Sequence, residues 1–138
     1  MLRRILALAA ALLLPAAPLS AQDGADGAPV TILAFGDSLV HGYGLPDGAS
    51  FPAQLEAALK DKGYDVEVIN AGSSGDTARS GRARLSWVLR DRVDAAIVVL
   101  GANDALRGID PATTRENLDA ILESLTDKGV ATLLAGMK

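Results

Sequence analysis

The chain has 138 residues, a formal charge of −4, one histidine and no cysteine. This length suits a single domain, and a hydrophobic content of 49% is enough to build a core. The acidic balance, with no basic patch interleaved with aromatic residues, excludes nucleic acid as an expected partner. Because there is no cysteine, the fold does not depend on disulfide formation in any compartment.

Residues 1–21 have the pattern of a secretory signal peptide. Arg3 and Arg4 precede an apolar run over residues 5–14, and the segment ends on Ala21, a small residue suited to a cleavage point. The apolar run is too short for a membrane-spanning helix, so a retained membrane anchor is the weaker alternative. The sequence therefore predicts a periplasmic or secreted protein with no stable membrane insertion after cleavage.

Residues 22–29 are a predicted linker of turn-forming residues, and residues 30–138 are predicted to form one domain. Within it, strand-like and helix-like patterns alternate. Strands are predicted over residues 30–35, 65–70, 95–100 and 130–135, and helices over residues 50–61 and 77–90 and from Asp110 to Gly129. This alternation predicts an α/β fold in which right-handed crossovers build a parallel sheet covered on both faces.

Polar residues follow three of the predicted strands. Ser38 follows the first, Gly75 and Asp76 follow the second, and Asn103 and Asp104 follow the third. Ligands of such sheets bind beyond the carboxyl ends of the strands, so three separate loops should meet at one rim. Each short motif taken alone is weak, because a serine after a Gly-Asp turn is often only a helix cap. Their order along the chain is more specific.

Four segments resemble the SGNH (GDSL-type) hydrolases, in particular a group of periplasmic thioesterases, lysophospholipases and arylesterases. They are residues 34–44 (AFGDSLVHGYG), 68–77 (VINAGSSGDT), 100–108 (LGANDALRG) and 133–137 (LLAGM). The resemblance covers essentially the whole chain after residue 30. It implies a flavodoxin-like three-layer α/β/α sandwich, here C-terminally truncated, and hydrolysis of a small-molecule ester or thioester.

By that resemblance, Ser38 is the nucleophile. Ser38, the backbone N–H of Gly75 and the side-chain N–H of Asn103 would form the oxyanion hole. Negative charge develops on the carbonyl oxygen during acyl transfer, so fixed donors aimed at that oxygen lower the barrier. Gly72 is an alternative to Gly75, although the Ser-Gly-Asp-Thr context favours Gly75.

Three acidic residues flank these positions and are expected to support them. We expect the carboxylate of Asp37 to hold the turn before the serine rather than to take part in the chemistry. Asp76 and Asp104 are neighbours of the two oxyanion donors. No metal or other cofactor is implied, since these acids do not form a ligand set with a histidine or a further carboxylate.

A serine hydroxyl needs a general base, and in this family the base is a histidine preceded by an aspartate three residues earlier. No Asp-x-x-His occurs in the sequence, and its only histidine, His41, stands three residues after Ser38. A side chain at that spacing would start behind the nucleophile and not across the substrate. The 138-residue chain is therefore expected to be nearly inactive, as an incomplete hydrolase domain.

Two other functions fit the pattern less well. A non-catalytic binding module could keep the fold and pocket without the base, and an in-frame Asp-x-x-His-Pro downstream of Lys138 would argue against it. A nucleotide- or flavin-binding domain is the weakest alternative, because no glycine-rich phosphate-binding pattern follows the first strand.

Overall fold

A computed structural model of the chain describes residues 27–89 and 92–136. The predicted signal peptide, residues 1–21, and residues 22–26 of the predicted linker lie outside this range. Within the described ranges, no helix is both long enough and apolar enough to cross a membrane.

The described residues form four strands and five helices. The strands are β1 (Val30–Gly36), β2 (Val66–Gly72), β3 (Ala95–Val99) and β4 (Ala131–Leu134). The helices are α1 (Ser38–His41), α2 (Phe51–Asp61), α3 (Ala78–Val88), α4 (Ala102–Leu106) and α5 (Pro111–Asp127). The predicted strands and the three longer helices are confirmed to within two residues at each end, whereas the short helices α1 and α4 were not predicted.

The strands pair in parallel in the order β2-β1-β3-β4. This matches the first four strands of the flavodoxin-like order, in which the chain moves to one side of β1 and then returns to the other. β1 and β3 are therefore neighbours although three helices and a strand separate them in sequence. Their carboxyl ends define the switch point where such folds bind ligands.

Side chains alternate across the sheet and separate two cores. Leu33 and Phe35 of β1 pack with α3 and α5, whereas Ala34 packs on the opposite face with Val40 of α1 and Val68 of β2. The α3–α5 face holds the larger cluster, which comprises Leu33, Phe35, Ala71, Leu85, Leu89, Ala96, Val98, Leu100, Ile121, Leu125 and Val130. Helices on both faces confirm the predicted three-layer α/β/α arrangement.

The edge strand β4 is the least protected part of the sheet. It pairs with β3 on one side, and Leu133 and Leu134 on its two faces are 61% and 43% exposed. An apolar edge of this kind contrasts with β1, whose central residues are fully buried.

Candidate active site

The loop after β1 presents Ser38 at the start of a short helix. Asp37, only 1% exposed, is the N-cap residue of α1, and its carboxylate accepts the Leu39 N–H at 2.9 Å. Ser38 is the first residue of α1 and is half-buried. Its hydroxyl has no hydrogen-bond partner among residues 27–89 and 92–136. The turn is thus held by Asp37, and the serine hydroxyl is left available.

The loop after β2 folds back over the end of β1. The Ser73 N–H donates to the Gly36 carbonyl at 2.9 Å, and the Asp76 N–H donates to the Ser73 carbonyl at 3.1 Å. Gly75 lies between them with φ +84°, a left-handed conformation that other residues adopt only with strain. Within the described part of the chain, the Gly75 N–H has no acceptor. This loop therefore carries an unused backbone donor.

Asn103, in α4 after β3, links the other two loops. Its Nδ2 donates to the Asp76 carbonyl at 2.9 Å and makes a longer contact of 3.4 Å with Asp37 Oδ2. The first contact is a good hydrogen bond that fixes the carboxamide, whereas the second is long enough to be weak. One amide hydrogen thus holds the side chain in place, and the other can be directed to a ligand.

Asp104 anchors α4 through hydrogen bonds to two neighbouring helices. It is 2% exposed, and one carboxylate oxygen accepts the N–H of Ala78, the first residue of α3, at 2.8 Å. The other oxygen accepts the Thr114 hydroxyl of α5 at 3.2 Å. Asn103 therefore projects from a turn that is tied to both helices of the larger core.

Asp76 is paired with Arg84, a residue for which the sequence predicted no role. Its carboxylate accepts Arg84 Nε at 2.5 Å and the Ser80 hydroxyl at 3.0 Å. A sequence feature that could have identified Arg84 is its position three residues after the buried Gly81 and next to the buried Leu85 on α3. An arginine so close to the apolar stripe of a helix calls for a specific partner.

The sequence leaves Gly72 as an alternative to Gly75 at this rim, and the structure shows a different constraint on each glycine. A Cβ on Gly72 would lie 2.1 Å from the backbone nitrogen of His41, so Gly72 permits α1 to pack against the end of β2. A Cβ on Gly75 would meet only Arg107 Nη2, at 3.5 Å, and its constraint is the positive φ. Gly72 serves packing, whereas Gly75 gives the loop its shape.

His41 is exposed and lies on the β2 side of the site. Its backbone carbonyl accepts Asn70 Nδ2 at 3.2 Å, and its backbone nitrogen is the atom nearest to Gly72. Asn103 follows β3, on the other side of β1. The backbone of the only histidine in the sequence is therefore held against the strand opposite to the one that Asn103 follows.

Two apolar cavities are lined by residues that flank Ser38 in sequence, and they share Leu39, Val99 and Ala135 among their lining residues. One has a volume of about 400 Å³ and lies against Asp37, Gly101 and Ala102. The other, of about 510 Å³, lies between α1, α2 and the β3–β4 edge and is lined almost entirely by hydrocarbon. Both could accept an apolar group attached to a carbonyl at Ser38.

Neither of the two carboxyl groups with a lowered pKa belongs to this site. Hydrogen bonds from Lys60 and from the Val68 N–H lower the pKa of Glu56, and a hydrogen bond from the Thr31 N–H lowers that of Asp94. Among residues 27–89 and 92–136, no cluster of three or more histidine or carboxylate side chains could hold a metal ion.

Comparison with known families identifies the family of this chain. The model of the GDSL-like lipase/acylhydrolase family matches residues 34–137. The chain belongs to this family. The resemblance found in the four sequence segments is thereby confirmed.

Named members of the GDSL-like family show how far the similarity extends. The chain is 39% identical to esterase TesA of Pseudomonas aeruginosa over 109 residues, which are 78% of this chain and 54% of that protein. It is 42% identical over 99 residues to an arylesterase of Vibrio mimicus, covering 71% and 50% of the two chains. The chain thus spans about half the length of the curated relatives it matches.

Solved structures agree with these relatives. AlinE4, described as an SGNH-hydrolase family esterase, superposes with a TM-score of 0.78 at 50% identity, covering 81% of this chain and 61% of that one. The GDSL-like assignment therefore rests on sequence and fold together.

Proposed function

We propose that this chain carries the nucleophile and the oxyanion hole of a serine hydrolase that cleaves small carboxylic esters or thioesters. The observation that supports the proposal most directly is the Asn103 carboxamide, which contacts the loops of both Ser38 and Gly75. Among the described residues, the Ser38 hydroxyl and the Gly75 N–H have no hydrogen-bond partner, and the 3.4 Å contact of Asn103 with Asp37 is weak enough to be replaced by one to a ligand. These three groups follow the carboxyl ends of β1, β2 and β3. This is the arrangement that acyl transfer needs.

In the proposed reaction, the Ser38 oxygen attacks the ester carbonyl carbon while a general base takes the hydroxyl proton. The carbonyl oxygen becomes an oxyanion that accepts hydrogen bonds from the Gly75 N–H, the Asn103 side chain and the Ser38 N–H. Collapse of this intermediate breaks the ester C–O bond, and the leaving alcohol receives the proton from the base. Water then attacks the acyl-serine by the same steps and releases the carboxylic acid.

Among the described residues, the single histidine, His41, does not lie where this base is needed. His41 is exposed, and its backbone is fixed beside Gly72 on the β2 side. We therefore assign His41 no proton-transfer role. We expect the oxyanion donors to give the chain some residual activity. This activity should be low, because a general base contributes on the order of 10²–10⁴-fold in rate.

The substrate class follows from the cavities and the named relatives. An esterase and an arylesterase are among the proteins that the chain resembles, and hydrocarbon lines the larger of the two cavities. We infer an uncharged acyl or aryl group in that position. No described side chain offers a positive charge there to hold an anionic substrate.

Labelling with a fluorophosphonate tests this function because the probe reacts with activated serines and the product is found by mass. The 138-residue chain should be modified slowly at Ser38 and at least about tenfold faster with added imidazole, which supplies a base. Ser38→Ala should abolish the modification. His41→Ala and Ser50→Ala, a control whose hydroxyl caps no helix, should leave it unchanged.

Two results would contradict the proposal in different ways. If Ser38 stays unmodified even with imidazole, the chain is a binding module and not a hydrolase. If rapid labelling without imidazole disappears in His41→Ala, the nucleophile is right but the exclusion of His41 is wrong.

We further infer export to the periplasm or the medium, from the signal-peptide pattern of residues 1–21. Protein recovered from the periplasmic fraction or the medium should begin at Gln22 when its N-terminus is sequenced. An N-terminus at Met1 in the cytosolic fraction alone would contradict this inference.

A further inference from the structure

The guanidinium of Arg84 lies beneath the rim and contacts the ends of two strands. Its Nη2 donates to the Gly36 carbonyl at 3.0 Å and to the Ala71 carbonyl at 2.9 Å. Its Nε donates to the Asp76 carboxylate. Gly36 ends β1, Ala71 is the penultimate residue of β2, and Asp76 belongs to the loop that follows.

A buried ring packs against this guanidinium. The Arg84 Cζ lies 4.4 Å from the centroid of the Phe35 ring, and Phe35 is fully buried in the larger core. Stacking on an aromatic face suits a planar guanidinium and restricts its rotation. The three hydrogen bonds are thus made from a platform that belongs to the core.

Short paths connect this one side chain to all three loops of the site. Gly36 lies two residues before Ser38, and Asp76 directly follows Gly75. The Asp76 backbone carbonyl in turn accepts the hydrogen bond that fixes Asn103. A shift of Arg84 would therefore move the acceptor that orients Asn103 and, with it, the peptide that carries the Gly75 N–H.

We propose that Arg84 is the positioning residue of the oxyanion hole: its fork holds the β1 end, the β2 end and Asp76 in a fixed relation. It touches no substrate atom. This inference rests on the proposed function, since it gives a role to the same donors. It requires arginine specifically, because the single ammonium group of lysine cannot reproduce donors from both Nε and Nη2.

The test compares Arg84→Lys and Arg84→Met with Arg82→Ala. Arg82 lies on the same helix, is exposed and makes only a 3.4 Å contact with Asn117, away from the three loops. We expect the NMR resonances of the Gly75 N–H and the Asn103 side-chain amide to shift in both Arg84 variants and to stay in place in Arg82→Ala. The rate of Ser38 labelling with imidazole should fall on the order of 10²-fold in Arg84→Met, the scale of a small misplacement of reacting groups.

A purely structural role would give a different pattern. Arg84→Lys would then lower the melting temperature without moving the Gly75 and Asn103 resonances, and that result would overturn the proposal. If the Arg84 variants do not fold, Asp76→Asn removes the charge partner alone and should move the same two resonances. If unaltered protein shows no labelling of Ser38, the hydrolase function fails, but the resonance shifts still test the positioning role.

Discussion

Four of the five buried polar residues found in the described part of the chain lie at the carboxyl end of the sheet. They are Asp37, Asp76, Thr77 and Asp104, and the fifth, Asn117, lies on α5. The amino end is held differently, by backbone contacts such as Val30 N–H to the Asp65 carbonyl and by one half-exposed carboxylate, Asp94.

Buried polar groups cost free energy unless their hydrogen bonds are satisfied. Here they are concentrated where three loops must keep a fixed relation. The carboxyl end is thus organised to fix the geometry of the loops, and the amino end to align the strands. Substitutions at the two ends should therefore fail in different assays.

The largest effect is expected at Asn103. Asn103→Ala should slow Ser38 labelling on the order of 10²-fold or more, as loss of one oxyanion donor does in acyl transfer. Asp94→Asn at the amino end is the control and should label at the normal rate. Equal rates for Asn103→Ala and the unaltered chain would remove the distinction between the two ends.

The next effect concerns two glycines. Gly72→Ala would place a methyl group 2.1 Å from the His41 nitrogen, forcing α1 off the sheet. Overpacking of this kind lowers the free energy of unfolding by about 1–3 kcal/mol or more. Gly63→Ala, at the amino side, is the variant for comparison. At Gly63, with φ +86° and open space around it, only backbone strain of roughly 1–2 kcal/mol applies. Urea denaturation measures both, and a smaller loss for Gly72→Ala than for Gly63→Ala would contradict the packing argument.

A comparable loss is expected at Asp104. Asp104→Ala removes both acceptors and leaves the buried Ala78 N–H unpaired, whereas the Thr114 hydroxyl can still donate to the Asp110 carbonyl. An unpaired buried group costs about 1–3 kcal/mol, which we expect to appear as a lower melting temperature in calorimetry. The exposed Asp119, on α5, provides the matched control, and Asp119→Ala should melt like the unaltered chain.

The smallest effect is a pH dependence at the amino end. The Thr31 N–H lowers the pKa of Asp94 below its ordinary value of 3.8, so the folded state binds this proton less readily than the unfolded state. Its stabilisation is complete above pH 3.8 and is lost as the pH falls through the lower pKa of the folded state. Asp94→Asn should flatten that part of the profile of melting temperature against pH. An unchanged profile would show that the contact does not contribute.

The sequence predicted most of the fold because strands and long helices carry periodic apolar patterns. It also predicted that the loops with Ser38, Gly75 and Asn103 follow strands at the same edge of the sheet, because the carboxyl ends of parallel strands share one edge. The short helices α1 and α4 were missed, because four or five residues span little more than one helical turn and cannot show a repeating apolar pattern. Their ends are instead set by caps such as Asp37 and by the positive φ of Gly101.

Arg84 could not be assigned a role from the sequence for a different reason. Two of its three hydrogen-bond acceptors are backbone carbonyls of Gly36 and Ala71, which exist at every position of a chain and leave no trace in residue type. The same holds for the Asp76 carbonyl that orients Asn103. The side chains of the site are readable in sequence, whereas the main-chain acceptors that aim them become visible only in three dimensions.

The exposed leucines of β4 affect how labelling rates and melting temperatures of this protein should be measured. Within the described residues, β4 pairs on one side and carries exposed apolar residues on both faces, which makes it a template for a second copy of itself, so association of the 138-residue chain should increase with protein concentration. Labelling rates and melting temperatures are therefore best collected over a dilution series. Values extrapolated to low concentration then describe the isolated molecule.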